Sequence, residues 1–336
     1  MTPLGRALVW FWLVIVAVAG TGMVALQLLG PPSSNTTGTA LARVPDRPPT
    51  GLRRAGGPTL LGPIAAPDPG LLETLPTVSS GGLPRIAADG RKPMDLYSGV
   101  YDRTVTLPRI ALLLAGVGLN VADSEDAIRS LPAAITLAFS PYSNQPDRLL
   151  EAARLSRHEY LLSVALEPRG APLNDAGTLA LLVGASPEQN VRRLHQTLGR
   201  IAGYAGVTGA LGGLRGERFS AAADPMDAML RELASRGLFY VDTRPETRAL
   251  PHVWGRGIDL VVDEPPVRAE IDARLTQLEQ LARERGSAIG LIGAPLPTSI
   301  GRVAVWASGL TERGFALVPV SALAQPAAEI ATAARP

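Results

Sequence analysis

The 336-residue chain contains no cysteine. That excludes a disulfide framework, a thiolate metal site and a cysteine nucleophile, and it is compatible with an oxidising compartment. Histidine is scarce, with only His158, His195 and His252. No two of them have the i, i+4 or facing-strand spacing that a divalent metal usually needs. Lysine is nearly absent. Lys92 stands alone and every other basic residue is arginine, a bias that fits a GC-rich coding sequence better than a function. Acidic and basic residues number 30 and 32, for a formal net charge of +2. This gives no electrostatic case for nucleic acid as a partner. No serine sits in a G-x-S-x-G elbow. "GVGLN" (116–120) lacks the third spaced glycine of a dinucleotide fingerprint, so no nucleotide cofactor is expected.

What the chain does have begins with a short flank, residues 1–6, and one long apolar run. "ALVWFWLVIVAVAGTGMVALQLLG" (7–30) carries no charge. As a helix it would extend about 36 Å, enough for a hydrocarbon core of about 30 Å with some tilt. The competing reading is a cleaved signal peptide, whose apolar region is usually about 7–15 residues followed by a small-x-small site. This run is longer and ends in Leu-Gly-Pro-Pro, so an uncleaved transmembrane anchor is expected. Arg6 favours a cytoplasmic N-terminus, which puts the rest of the chain outside the cytoplasm.

Residues 31–107 have the composition of a disordered linker. Thirteen of the thirty prolines fall between 31 and 108, among clusters such as "PPSSNTTGTA" and "TVSSGGLP". No apolar period persists, and such a stretch cannot bury enough area to offset its ordering entropy. Its last part, "KPMDLYSGVYDRTVTLP", carries Met94, Leu96, Tyr97 and Tyr101, which are expected to pack on the domain that follows.

From 108 to 323 short apolar runs alternate with amphipathic patterns. Strands are predicted at 109–115, 134–140, 159–166, 206–211, 238–242, 258–263, 287–293 and 315–321. Helices are predicted at 123–131, 146–156, 186–204, 224–237, 268–286 and 298–314. The third helix opens with Ser186, Pro187 and Gln189, a capping-box pattern. Glycines close the fourth and fifth. The strands are continuous apolar runs, so both of their faces should be buried and the sheet mostly parallel. The fold class is therefore α/β, an irregular (β/α) barrel of about seven to eight mostly parallel strands, with a flexible tail at 324–336. In such folds chemistry lies at the carboxyl ends of the strands.

Those ends are poor in reactive groups. The first gives "AGVGLN", with Asn120 as its only polar candidate. The second, "SPYSNQP", offers Ser140, Tyr142, Ser143 and Asn144, which suit a sugar or simply cap the next helix. The third ends in Glu167, which could bind a ligand, act as a base, or pair with Arg169 or Arg215. The fourth runs into a glycine-rich loop whose charges are Arg215, Glu217 and Arg218. The fifth ends in Asp242, two residues before Arg244, either a ligand-binding carboxylate or half of an ion pair. The seventh, "GAPLP", has no titratable group. Glu167 and Asp242 together could form a paired-carboxylate site.

In the order and spacing of "RIALLLAGVGLN", "LPAAITLAFSPYS", "HEYLLSVALEP", "NVRRLHQTLGRIAGYAGVTGALG", "RELASRGLFYVD", "RGSAIGLIGAP" and "LTERGFALVPVSAL", the chain resembles the divergent polysaccharide deacetylases. The resemblance covers about two thirds of the chain and implies a deacetylase-like barrel with a polysaccharide-related ligand. It also implies an adjacent pair of aspartates where Ala115 and Gly116 stand. An Asn-His pair is implied at Gly209 and Ala210, and a histidine at Ala294. His158, Glu167 and Asp242 match. Metal-dependent deacetylation needs ligands for a cation that activates water, and these positions supply none, so no metal is expected. The expectation is a protein of the bacterial inner membrane, its main domain in the periplasm. Glu167, Asp242, Arg215 and Asn120 are its candidate ligand-binding residues. Envelope glycan or a protein partner would be bound without catalysis. A metal-free hydrolase acting through Glu167 and Asp242, and a purely structural interaction module, are the alternatives.

Overall fold

The computed structural model describes residues 62–74, 82–245, 247 and 249–328. All belong to one unit, Arg54–Pro336. The expected membrane anchor at 7–30 lies outside the described residues, as do residues 31–61 and 75–81 of the expected linker at 31–107. Among the described residues no helix is long and apolar enough to cross a membrane.

Two short strands, β1 (Leu72–Glu73) and β2 (Leu83–Pro84), pair antiparallel ahead of the main domain. Among the described residues, nine strands then form one sheet in which every pair is parallel: β3 (Arg109–Val117), β4 (Thr136–Phe139), β5 (Tyr160–Ser163), β6 (Gly206–Thr208), β7 (Phe239–Asp242), β8 (Gly255–Gly257), β9 (Leu260–Val261), β10 (Ser287–Ile292) and β11 (Ala316–Leu317). The helices are α1 (Pro93–Leu96), α2 (Val121–Ser130), α3 (Pro146–Leu155), α4 (Pro187–Leu198), α5 (Glu217–Ala221), α6 (Ala223–Ser235), α7 (Arg268–Arg285) and α8 (Pro297–Ser308). The strand order is β8-β7-β6-β5-β4-β3-β10-β9, with β11 beside the start of β3.

The two ends of that order are one piece of chain. β8 pairs with β7, Ile258 N–H donates to Asp242 O (2.9 Å), Asp259 N–H donates to Ile289 O (2.7 Å), and β9 pairs with β10. The run thus passes from one edge of the sheet to the other and draws it into an irregular barrel. β7 approaches so closely that a Cβ at Gly255 would lie 2.1 Å from Tyr240 O, so only glycine fits. Arg256 and Asp259 lock the handover with a 2.6 Å ion pair, both side chains 2% exposed. Arg256 also donates to Ser287, and Asp259 accepts from Ile289 N–H and pairs with Arg285.

Alternation along the strands builds two cores. Ile110, Leu112 and Leu114 face the helices with Leu137, Leu162 and Tyr240. Ala111, Leu113 and Ala115 fill the barrel with Ala138, Leu161, Val241 and Leu291. At the amino ends of the strands the inner core is covered by Leu71, Tyr97, Val320 and Leu323. This corrects the expectation of a linker disordered up to 107. Residues 62–74 and 82–107 form a strap on the barrel, because the barrel mouth gives its few large apolar groups something to bury against. Leu71 and Leu83 are fully buried, Asp68 caps the turn Pro69–Leu71, and Tyr97 Oη accepts Asp68 N–H (2.8 Å). The expected packing of Tyr97 on the domain is observed. Residues 324–328 of the expected flexible tail are held on the barrel, with Gln325 and Gly255 exchanging backbone hydrogen bonds and Ala328 N–H donating to Leu250 O.

A half-buried cluster fastens the strap to the helices. Glu232 on α6 receives His195 Nε2 of α4 and Arg236 Nε, both at 2.6 Å, and Arg236 pairs with Glu73 (3.0 Å). His195, then Arg236, hold the Glu232 carboxyl down at about 2, against an ordinary value of 4.5. A depressed carboxyl contributes stability that is fully present above its unfolded pKa and lost as pH falls through its folded one. Acid titration of stability should therefore lose this contribution between pH 4.5 and 2. The Glu232→Gln variant should show a flatter limb there, measured by denaturant melts at stepped pH.

Candidate functional site

At the carboxyl ends of the strands, three segments meet at their backbones. Gly116, at the end of β3, has φ +72°. A Cβ there would sit 3.3 Å from Gly293 O, 3.4 Å from Gly212 Cα and 3.6 Å from Ala294 Cα. Gly212 lies at the tip of a turn after β6, closed by reciprocal backbone hydrogen bonds between Leu211 and Leu214 (2.8 and 3.0 Å). Leu211 is buried in a small cluster with Ala165, Ala176 and Ala180, backed by Tyr142, Leu182 and Leu214. The turn therefore lies against the ends of β3 and β10. Ala115 and Ala210 are fully buried beneath it.

A divalent cation takes oxygen, nitrogen or sulfur ligands at about 2.0–2.6 Å. Ala115, Gly116, Gly209, Ala210 and Ala294 offer no side-chain donor. Among the described residues no group of three or more His, Asp or Glu converges to hold a metal. The residues present do not fit one.

The polar groups around this centre are engaged with one another. Glu167 is buried; its Oε2 accepts Val183 N–H (2.7 Å) and its Oε1 pairs with Arg218 (2.9 Å). The partner is thus Arg218 and not Arg169 or Arg215. Asp242 has a fully buried side chain that receives Arg244 N–H and both sides of the Arg244 guanidinium, with Nη2 at 2.5 Å. Arg215 pairs with Glu264 (2.5 Å) and lies 3.7 Å from Glu217. Asn120 caps α2, its Oδ1 accepting Asp123 N–H (3.3 Å). The four candidate ligand-binding residues thus all have partners within the chain. In the loop after β4, Tyr142 donates to Ala176 O and accepts from Leu179 N–H, holding the loop after β5.

Each histidine is bonded within the fold. His158 is buried at the amino end of β5, its ring nitrogens 2.8 Å from Ile135 O and 3.0 Å from Ile128 O, and burial pushes its pKa below the ordinary value. His252 meets Asp227 (2.7 Å) on α6.

Sequence reasoning missed Asp263, which follows β9 at the carboxyl end. Its Oδ1 accepts Gly293 N–H (2.8 Å) and its Oδ2 accepts Ser299 Oγ–H (3.1 Å). Burial pushes its carboxyl above the ordinary value. The signal was available, because "IDLVVD" ends in a carboxylate just as "LFYVD" does. Ser163 Oγ is also buried there and has no hydrogen-bond partner among the described residues.

The model of the family described as divergent polysaccharide deacetylase matches residues 112–324. The crystal structure of the uncharacterized protein ATU2773 from Agrobacterium tumefaciens C58 is similar, with 32% sequence identity and a TM-score of 0.66. The match covers 72% of this chain and 99% of that one. The catalytic domain of a peptidoglycan N-acetylglucosamine deacetylase from Eubacterium rectale ATCC 33656 matches more distantly, at 12% identity and a TM-score of 0.39. That match covers 67% of this chain and 93% of the other. No curated protein matches.

Proposed function

The chain belongs to the divergent polysaccharide deacetylase family, and on that premise we propose that this member is a non-catalytic protein of the bacterial cell envelope. Its N-terminal run holds it to the inner membrane, and its domain works in the periplasm as a binding or scaffolding module for envelope glycan or a protein partner. One observation carries the reading: backbone and apolar side chains occupy the place where metal ligands would be needed, with Gly212 packed against Gly116 and Gly293. A cation-activated water has nothing to hold it.

The alternative of a metal-free hydrolase acting through Glu167 and Asp242 finds little support. A general base must be free to take a proton, and each carboxylate is already bound to an arginine. The uncharged run at 7–30 supports the anchor through its length alone. The full-length protein in detergent should release no acetate from N-acetylated or O-acetylated envelope oligosaccharides above the protein-free control, with or without added zinc. Turnover that is lost on chelation would overturn the proposal. Turnover abolished by Glu167→Ala or Asp242→Ala, with folding intact, would favour the hydrolase.

A further inference from the structure

On the opposite face, at the amino ends of the strands, lies a second concavity of about 440 Å³, within the ~300–1,000 Å³ of small-ligand sites. One wall is the strap from Lys92 to Arg103. The other is Trp254, just before β8, with Ser321, Ala322 and Ala324. Both the strap and the C-terminal turn are pinned to a single buried group. Glu159 accepts Gly99 N–H (2.8 Å) from the strap, Ser321 N–H (3.2 Å) and the Ser321 hydroxyl from the C-terminal turn, and Thr136 Oγ1–H (2.9 Å) from β4. A carboxylate is costly to bury and needs such donors. Here it fixes the two walls relative to each other before any ligand arrives, which lowers the cost of binding.

The lining is unlike the packed carboxyl-end face. Trp254 is 42% exposed, and its indole N–H has no hydrogen-bond partner among the described residues, whereas Trp306 Nε1 donates to Glu279 (2.7 Å). Tyr101 also lines the pocket, its ring partly buried on the inner core, with the Arg103 guanidinium 6.0 Å from its centroid. Lys92, the only lysine in the chain, and Asp95 add an ammonium and a carboxylate, neither with an ion-pair partner among the described residues.

We infer that this pocket binds a saccharide. A pyranose ring has apolar C–H faces that rest on aromatic surfaces, and hydroxyls that both donate and accept. Trp254 and Tyr101 supply the surfaces, Lys92 and Arg103 the donors, and Asp95 the acceptor. A purely apolar ligand would strand those charges. A peptide would need free backbone groups, but Gly99 N–H and Ser321 N–H are spent on Glu159, and the free edge of Gly255 is taken by Gln325. The inference concerns a different face from the deacetylase-like cleft and stands whether or not that cleft is catalytic.

The test is isothermal titration of the full-length protein in detergent with chitotetraose, maltotetraose and a hyaluronan tetrasaccharide, alongside a tetrapeptide. At least one saccharide should bind. Trp254→Ala should weaken it at least tenfold with unchanged thermal melting, because Trp254 lies at the surface, and Tyr101→Ala should weaken it several-fold. Trp306→Phe should leave affinity unchanged. Three results would each overturn the inference: no saccharide binding, equal binding by wild type and Trp254→Ala, or binding of the tetrapeptide alone.

Discussion

Replacing Asp259 with alanine should destabilise the protein by about 3–5 kcal/mol, the range for removing one partner of a buried ion pair. In a domain of this size that lowers the melting temperature by about 6–20 °C. The pair has 2% exposure on both side chains and joins Arg256, on β8, to Asp259, just before β9. Without the carboxylate, the buried Arg256 loses its 2.6 Å ion-pair partner and Ile289 N–H loses its acceptor. The handover that turns the sheet into a barrel then rests on short ladders alone. Scanning calorimetry of the variant beside Asp224→Ala, an exposed change expected to shift stability by less than about 0.5 kcal/mol, checks the size of the effect. A loss below about 1 kcal/mol would mean that the closure does not depend on this pair.

Introducing an aspartate at 116, the Gly116→Asp variant, should cost about 2–6 kcal/mol and create no metal site. Two physical terms add. A non-glycine residue at φ +72° is held in a sparsely populated region, at about 1–3 kcal/mol. The carboxylate must also force its way past Gly212 and Gly293, and overpacking of that kind costs about 1–3 kcal/mol. Gly213, one residue beyond the tip, has nothing within 4 Å of its Cβ position, so Gly213→Ala should be nearly neutral. Denaturant melts of the two variants compare the positions directly. A stable Gly116→Asp protein that takes up zinc would mean that the 211–214 turn moves aside readily and that the cleft is open in solution.

Much of the barrel was legible in the chain because its strands must be apolar on both faces. β3 reads "RIALLLAGV" and is buried from Ile110 onward. The capping box at Ser186 and Gln189 and the glycine closures at Gly237 and Gly286 are where local chemistry requires them. The strap was not legible, because Leu71, Leu83 and Tyr97 bury against a distant part of the chain and show no local period. The barrel closure was hidden for a related reason. "GRG" at 255–257 has no apolar pattern, since close approach to β7 requires glycine there. α5 is concealed after the glycines of 212–216, and it carries Arg218 to Glu167 in place of the arginines nearer in sequence or loop. At the site, the absent ligands at Ala115, Gly116, Ala210 and Ala294 were readable residue by residue. That the following turn fills the space they leave was not, because it depends on how Leu211 and Leu214 pack.

The central claim is that the carboxyl-end centre cannot hold a catalytic metal. Equilibrium dialysis of the full-length protein in detergent against micromolar zinc, followed by elemental analysis, tests it most directly. The account predicts zinc at the level of a protein-free blank and no change on adding an acetylated oligosaccharide. One tightly held zinc per chain, lost when Asp263 is changed to alanine, would contradict it.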